Sequence, residues 1–299
     1  MRTMHIRLMT GFWLGITLTA VMAVSATPTV YVVNYPLKYF TQRLAGDHVQ
    51  VVFPAPPDED PAFWKPDVKT IAAFQAADLI MINGATYAKW LQQTSLPKAK
   101  VVNTSAAFQD QYIEIKSSIT HSHGPAGQHA HTGTAFTTWL NFRFAAQQAK
   151  AIETALRRLL PAQQPTFAKQ YASLEKDLMA LDTRIETLVA SRRTQPLVAS
   201  HPVYQYFATR YGLNLQSVLW EPEVMPEDDD QWNTLQGLLA KHPAKWMIWE
   251  GEPMAALVQK LQSLGVQSLV FDPCGNTPEQ GDFLSVMQQN VVNLQQAFQ

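Results

Sequence analysis

The sequence predicts an α/β protein of two lobes, each built on a parallel sheet, joined by one long helix. Strand-like and helix-like segments alternate four times between residues 29 and 102, and the alternation returns after Pro196. Between these regions, residues 164–192 form the longest stretch with helical apolar spacing. The chain has 299 residues, 46% apolar and 16% charged, which is enough for about two domains and too apolar for disorder.

The first lobe is predicted at residues 27–163. Runs of β-branched and aromatic residues predict its strands, and prolines and glycines mark where its elements end. Residues 117–134 interrupt the alternation and predict a loop. We expect strands at 29–34, 49–53, 78–82 and from 101, and helices at 36–45, 68–76, 87–93 and 142–160.

Residues 164–192 predict the linking helix. Phe167, Tyr171 and Leu174 begin a series of apolar residues three or four apart, which marks one buried face. At 1.5 Å per residue this helix is about 40 Å long, more than a single domain needs. In the second lobe, 193–299, we expect strands at 197–199, 215–220, 246–249 and 268–271, and helices at 203–211, 228–240, 254–264 and 282–297.

Residues 1–26 predict a cleaved signal peptide. Arg2 and Arg7 precede an uncharged apolar run, and small residues end at Ala26. An uncleaved membrane anchor is the alternative. The chain's single cysteine, Cys274, excludes an internal disulfide, and no cysteine directly follows the signal region for lipid attachment. We therefore expect a periplasmic protein that is not a lipoprotein, and its net charge of −1 argues against binding nucleic acid.

A histidine cluster is the strongest chemical signal in the chain. Four of the eight histidines, His121, His123, His129 and His131, lie within the predicted loop. Neutral imidazoles suit zinc, copper or nickel, so the cluster predicts metal capture. The alternative is a solvated loop with no ligand.

Two further candidate ligands directly follow predicted strands. His201 follows the predicted strand 197–199 after one intervening residue. Asp272 follows the predicted strand 268–271 directly. Open α/β sheets place ligands at the carboxyl ends of their strands, so this pair predicts part of a metal site. Cys274 is interpreted as a small buried residue in a turn, with a soft fourth ligand as the alternative.

Several motifs, taken in order, resemble one protein family. They are D-P-A-F-W-K-P at 60–66, A-D-L-I at 77–80, N-G at 83–84, T-T-W-L at 137–140, S-H-P-V-Y at 200–204, Y-G-L at 211–213 and F-D-P at 271–273. Their order and spacing resemble the periplasmic zinc- and manganese-binding proteins of ABC importers, the ZnuA/TroA-like family, over essentially the whole mature chain.

The resemblance implies a TroA-like fold and a monomeric binding protein, not an enzyme. Its ligand would be zinc, manganese or another divalent transition metal, delivered to an inner-membrane ABC permease. The family's four ligand positions correspond here to Ala62, Thr137, His201 and Asp272. Alanine offers no donor atom and threonine a poor one, so the chain keeps only the second-lobe half of the family's site.

Three replacements for the lost imidazoles are open. His129 or His131 could complete the coordination, which is the alternative we favour, or the acidic run 58–60 could supply a carboxylate. Otherwise the cleft binds something larger, such as a chelated or non-metal ligand, with Phe63, Trp64 and Trp139 lining it.

Two other functional classes compete with metal transport. A periplasmic metalloenzyme could use Glu221 or Glu223 as a base, but no catalytic metal motif supports it. A sensor that keeps the fold and has lost transport would also show replaced ligands.

Overall fold

The computed structural model describes residues 26–115, 120–122, 128–130, 133–226 and 229–299. The predicted signal peptide, His123 and His131 lie outside these residues, apart from Ala26. Within the described ranges, no helix combines the length and the apolar character that crossing a membrane requires.

The first sheet has four parallel strands in the order β2-β1-β3-β4. Its central strand β1 pairs with both neighbours, so that Val30 lies opposite Val51 on one side and Leu79 on the other. The strands are β1 (Thr29–Val32), β2 (Gln50–Val52), β3 (Leu79–Ile82) and β4 (Val101–Asn103).

The second sheet repeats this arrangement with the order β10-β9-β11-β12, again entirely parallel. Its strands are β9 (Pro196–Ala199), β10 (Asn214–Ser217), β11 (Trp246–Trp249) and β12 (Gln267–Val270). The predicted α/β class with two parallel sheets is confirmed. The boundaries assigned to the lobes stay a prediction.

Eight α-helices in the described ranges connect and cover the sheets. They are α1 (Tyr35–Ala45), α2 (Val68–Ala76), α3 (Phe142–Leu159), α4 (Gln164–Val189), α5 (Gln205–Tyr211), α6 (Asp229–Lys241), α7 (Ala255–Ser263) and α8 (Phe283–Phe298). Side-chain caps fix several of their starts: Asp67 caps α2, and Asp282 forms a capping box with Ser285 on α8.

The linking helix α4 has 26 residues, so it is about 39 Å long. Phe167, Leu174, Leu178 and Ile185 are completely buried on one face, as the apolar spacing predicts. This face packs against α1, α3 and α8, and the resulting hydrophobic core runs without a break through both lobes.

Within 117–134, the described residues 120–122, 128–130 and 133–134 differ from the loop expected there. Two short antiparallel pairs form: β5 (Glu114–Ile115) with β8 (Gly133–Thr134), and β6 (Thr120–Ser122) with β7 (Gln128–Ala130). These strands are two or three residues long and mostly polar, which is too short for an apolar alternation that could predict them. The helix expected at 87–93 is a short 3₁₀ turn at Lys89–Gln93.

Candidate metal site

A cavity of about 300 Å³ lies between the two lobes. Both lobes contribute to its wall, as expected for a site in a cleft. The first lobe contributes Glu59, Asp60, Phe63, Tyr87, Phe136, Thr137 and Trp139 among others, and the second contributes His201, Val203, Glu250, Asp272, Pro273, Gly275 and Asn276.

His201 lies at the carboxyl end of β9, and its side chain is 1% exposed. Its Nδ1 atom is 3.8 Å from Oε1 of Glu221 and 3.7 Å from Oε1 of Glu250. One ligand atom from each of these three residues lies within 4.8 Å of the others. Zinc sits about 2.0–2.2 Å from imidazole and carboxylate ligands, so a small contraction brings all three atoms around one ion.

The parallel second sheet brings these three residues together. β9, which precedes His201, pairs with β11 on one side and with β10 on the other. Glu250 directly follows β11, and Glu221 lies a few residues after the end of β10. Carboxyl ends of parallel strands meet at one edge, so residues distant in sequence converge there.

Negative charge is concentrated at this edge. Burial raises the pKa of Glu250 well above its usual value, and the nearby carboxylate of Glu221 raises it further. Burial also raises the pKa of Asp272, against the opposing effect of a 2.6 Å hydrogen bond from the backbone N–H of Cys274. A divalent cation would relieve both the repulsion and the desolvation of these carboxylates.

Asp272 lines the same cavity as His201, but it is not in the described group of three close ligand atoms. The side-chain amide of Asn290 on α8 accepts a hydrogen bond from the backbone N–H of Asp272 at 3.0 Å. It also donates one to the backbone carbonyl of Asp272 at 2.7 Å. The helix therefore fixes the backbone of Asp272, and Cys274 beside it is buried in the turn, as expected.

The two first-lobe positions make other contacts. Ala62 is completely buried, its N–H donates to Oδ1 of Asp60 at 2.8 Å, and its carbonyl accepts from the N–H of Lys89 at 3.0 Å. The Thr137 hydroxyl donates to the carbonyl of Val203 in the second lobe. Thr137 thus ties the two lobes together.

The predicted loop histidines are described only in part. His121 and His129 lie directly opposite each other in the β6–β7 pair. Completion of the site by this cluster stays a prediction. Of the acidic run, Glu59 and Asp60 line the cavity, and the charge of Asp60 contributes to the raised pKa of Glu250.

Aromatic rings form much of the opposite wall. Tyr87 meets Phe136 edge-on at 5.3 Å and Trp139 at 5.5 Å between ring centroids. Phe63 meets Phe136 at 6.1 Å. Of the three aromatics expected here, Phe63 and Trp139 line the cavity, whereas Trp64 is only packed against the core nearby.

Sequence reasoning missed one residue of the close group and gave another a different role. Glu250 directly follows a predicted strand, as Asp272 does, so the same strand-end argument applies to it. Glu221 was considered only as the base of a metalloenzyme.

Comparison with known proteins decides the family. A family model described as "ZnuA: Zinc-uptake complex component A periplasmic" matches residues 30–297. The chain belongs to the ZnuA family. The family consists of uptake-complex components, in agreement with the expectation of a binding protein rather than an enzyme.

Among curated relatives, the "Zinc-binding lipoprotein AdcA" of Streptococcus pneumoniae is 25% identical over 274 residues. The alignment covers 88% of this ZnuA-family chain and 54% of AdcA, so the chain spans about half the length of the curated relatives it matches. That relative is named a lipoprotein, which does not fit well with the expectation that this chain carries no lipid.

Solved structures show the same fold. The metal-dependent lipoprotein YcdH of Bacillus subtilis matches with a TM-score of 0.77 and 19% identity, over 91% of this chain and all of YcdH. The Zn(II)-bound ZnuA-like domain of AdcA from S. pneumoniae matches with a TM-score of 0.75 and 21% identity, over 91% of this chain and 99% of that domain.

Proposed function

We propose that this ZnuA-family chain is a periplasmic receptor that captures zinc in its cleft and delivers it to an ABC permease. The observation that carries the proposal is the convergence of ligand atoms from His201, Glu221 and Glu250 beside a cavity lined by both lobes. His201 and Glu250 line that cavity themselves. The ion is cargo, so the protein binds it without chemical change.

The donor chemistry supports a divalent transition metal. One imidazole and two carboxylates match the nitrogen and oxygen ligands that zinc accepts. Three carboxyl groups, those of Glu221, Glu250 and Asp272, lie in or beside the group, and a divalent ion would stabilise their ionised forms. The matched family model and the zinc-binding name of the AdcA relative support zinc as the ion.

The proposed export follows the sequence. Residues 1–26 would be removed as a signal peptide, and the only cysteine is buried at position 274. We therefore propose that the mature protein is released into the periplasm without a lipid. Intact mass measurement of the exported protein checks this, because an attached lipid would add to the mass expected for residues 27–299.

The test of function is calorimetric titration of metal-free, untagged protein with zinc and, separately, manganese. We expect one zinc ion to bind at micromolar concentration or tighter. His201→Ala should weaken binding by about 100-fold or more, because the ion loses its imidazole donor. His48→Ala is the matched control, because that imidazole is exposed and lies outside the cleft.

Two results would contradict the proposal. One is the absence of heat from either metal at tens of micromolar protein. The other is equal zinc affinity in the wild type and His201→Ala. Tight binding of manganese with weak binding of zinc would instead change the identity of the cargo.

The contribution of the histidine cluster has its own test, the deletion of residues 121–131. Ile115 lies opposite Gly133 in the β5–β8 pair, so the strands that flank the deleted segment already lie side by side. The remaining residues 116–120 and 132 can then connect them, and the deletion should fold. If the cluster completes the site, the deletion should weaken zinc binding as His201→Ala does, and combining the two should add little. An unchanged affinity would exclude completion by the cluster.

A further inference from the structure

The cleft is much larger than a metal ion. Its volume of about 300 Å³ equals roughly ten water molecules and falls at the lower end of pockets that hold small organic ligands. The close group of donors, His201, Glu221 and Glu250, belongs entirely to the second lobe. An ion held there faces an open space bounded by the first lobe.

The first-lobe wall is built to contact an organic molecule. Phe63 and Phe136, which are partly exposed, line the cavity together with the more deeply buried Tyr87 and Trp139. Rings offer flat apolar contact that a small hydrated ion cannot use, whereas planar or apolar parts of an organic ligand can. At Thr137, where the resemblance places an imidazole ligand, the hydroxyl instead bonds to Val203.

Tyr87 supplies a polar atom in this wall. The residue is 3% exposed and lines the cavity. Its phenolic O–H can both donate and accept a hydrogen bond, so it is suited to a ligand in the cavity. Ala85 and Thr86, directly before it, both have positive φ angles, 47° and 56°, an uncommon backbone that recurs at ligand sites.

Gly275 keeps the space beside Tyr87 open. A Cβ atom at this position would lie 3.6 Å from the Tyr87 hydroxyl and 3.7 Å from the Trp139 ring. Any larger side chain would therefore fill the part of the cavity that the hydroxyl and the ring border.

We propose that the cleft takes its ion as a complex with a small organic chelator that carries nitrogen donors, with free histidine as the model compound. This inference rests on the proposed function. The second lobe would supply His201, Glu221 and Glu250 to the metal, and the chelator would supply the nitrogen donors that Ala62 and Thr137 lack. Its organic part would contact the rings and accept or donate a hydrogen bond at Tyr87.

Charge selects the class of chelator. Asp60, Glu250 and Asp272 line the cavity, so a chelator whose donors are all carboxylates would add negative charge beside them. Amine and imidazole donors bring no negative charge to the metal. The cleft should thus favour a histidine complex of zinc and disfavour a citrate complex.

The decisive experiment is a zinc titration of the wild-type protein with and without L-histidine, followed calorimetrically. If the site binds only the bare ion, histidine competes for zinc and lowers the apparent affinity. If the site binds the complex, the apparent affinity rises, by about tenfold for one well-placed extra donor. Native mass spectrometry should then show the protein with one zinc and one histidine.

Three variants test whether the gain in zinc affinity on adding histidine depends on the region around Tyr87 and Gly275. Tyr87→Phe removes the hydroxyl alone and should reduce the gain from histidine by about fivefold. Gly275→Val should abolish the gain by filling the space. Tyr171→Phe is the matched control and should keep the full gain, because its hydroxyl bonds to Glu175 at 2.7 Å outside the cleft.

The outcomes separate this inference from the proposed function. Zinc binding that histidine weakens would overturn the chelator and leave zinc capture standing. An equal gain with citrate would overturn the preference for nitrogen donors. Absence of binding for both zinc and the zinc–histidine mixture would overturn the proposed function as well.

Discussion

At the scale of single residues, Glu250 stands in an electrostatically unfavourable place in the cleft, where its pKa is raised well above its usual value. Its side chain is 23% exposed, and the carboxyl groups of Glu221, Asp60, Glu223 and Asp272 all raise its pKa. The arrangement costs stability in the metal-free protein and is useful only when a cation is present.

Glu250→Gln should therefore have opposite effects on stability and binding. We expect the metal-free protein to gain about 1 kcal/mol in the free energy of unfolding, because a neutral amide replaces an acid whose ionised form is disfavoured by desolvation and by neighbouring carboxyl groups. Zinc affinity should fall, because a charged ligand is lost. Thermal melting with and without zinc measures both, and the exposed Glu252→Gln is the control. A loss of stability in the metal-free variant would contradict this account.

The residues of the site differ in how far sequence predicts them. His201 and Asp272 were predicted because each follows a strand, and the structure brings both to one cavity. Glu250 follows the same rule, but a glutamate after a strand is common and gives no signal of its own. The pairing of Glu221 with His201 depends on the chain path between β10 and α6, which has no periodic pattern to predict it.

At the scale of elements, a buried carboxylate on the linking helix holds parts of both lobes. Asp182 of α4 accepts hydrogen bonds from Arg210 of α5 at 2.6 and 2.8 Å and from Arg143 of α3 at 3.2 Å. Burial alone would raise the pKa of Asp182, but the two arginines outweigh burial and lower it. The charged carboxylate therefore stabilises the fold.

Asp182→Asn should lower the free energy of unfolding by roughly 2–3 kcal/mol at pH 7, because two arginines lose a buried partner. The stabilisation is fully present above the unfolded pKa of about 3.9 and is lost as pH falls through the lower folded pKa. Urea denaturation of variant and wild type should therefore converge in acid.

Asp177→Asn is the matched control on the same helix. Its ion pair with Arg43 is exposed, with 41% of the Asp177 side chain accessible, so its loss should cost less than about 1 kcal/mol. Equal losses in the two variants would show that burial at Asp182 has no special weight.

Elements with a long periodic pattern were predicted within a few residues. α2 and β11 match their predicted ranges, and α4 ends three residues earlier than expected. The β6–β7 pair was missed because strands of three mostly polar residues are too short to show an apolar alternation. The pairing of two such strands depends on contacts between them, and the residue pattern within one short segment does not predict those contacts.

At the scale of the whole molecule, hydrogen bonds tie the lobes on several sides of the cleft. The Tyr206 hydroxyl accepts from the N–H of Ile113 at 3.2 Å and donates to the carbonyl of Ala135 at 3.1 Å. The Asn276 amide donates to the carbonyl of Pro56 at 2.7 Å. Together with α4 and the continuous core, these bonds oppose a wide hinge motion.

We therefore expect zinc to change the overall dimensions very little. Small-angle X-ray scattering of metal-free and zinc-loaded protein should give radii of gyration within about 1 Å of each other, as for binding proteins that are largely pre-organised. A larger decrease on zinc addition would show that the lobes swing apart when the ion leaves.

Trp139 offers a direct optical signal of what happens in the cleft. Its indole N–H donates to the carbonyl of Pro273 across the lobes at 2.7 Å, and the ring is 1% exposed. Indole emission responds to polarity and to this hydrogen bond, so capture of cargo should alter the fluorescence of this residue. The chain has eight tryptophans, so the emission of Trp139 must be separated from that of the others. Subtracting the spectrum of Trp139→Phe from that of the wild type gives the contribution of Trp139. Loading and release can then be timed by stopped-flow mixing on the unlabelled protein.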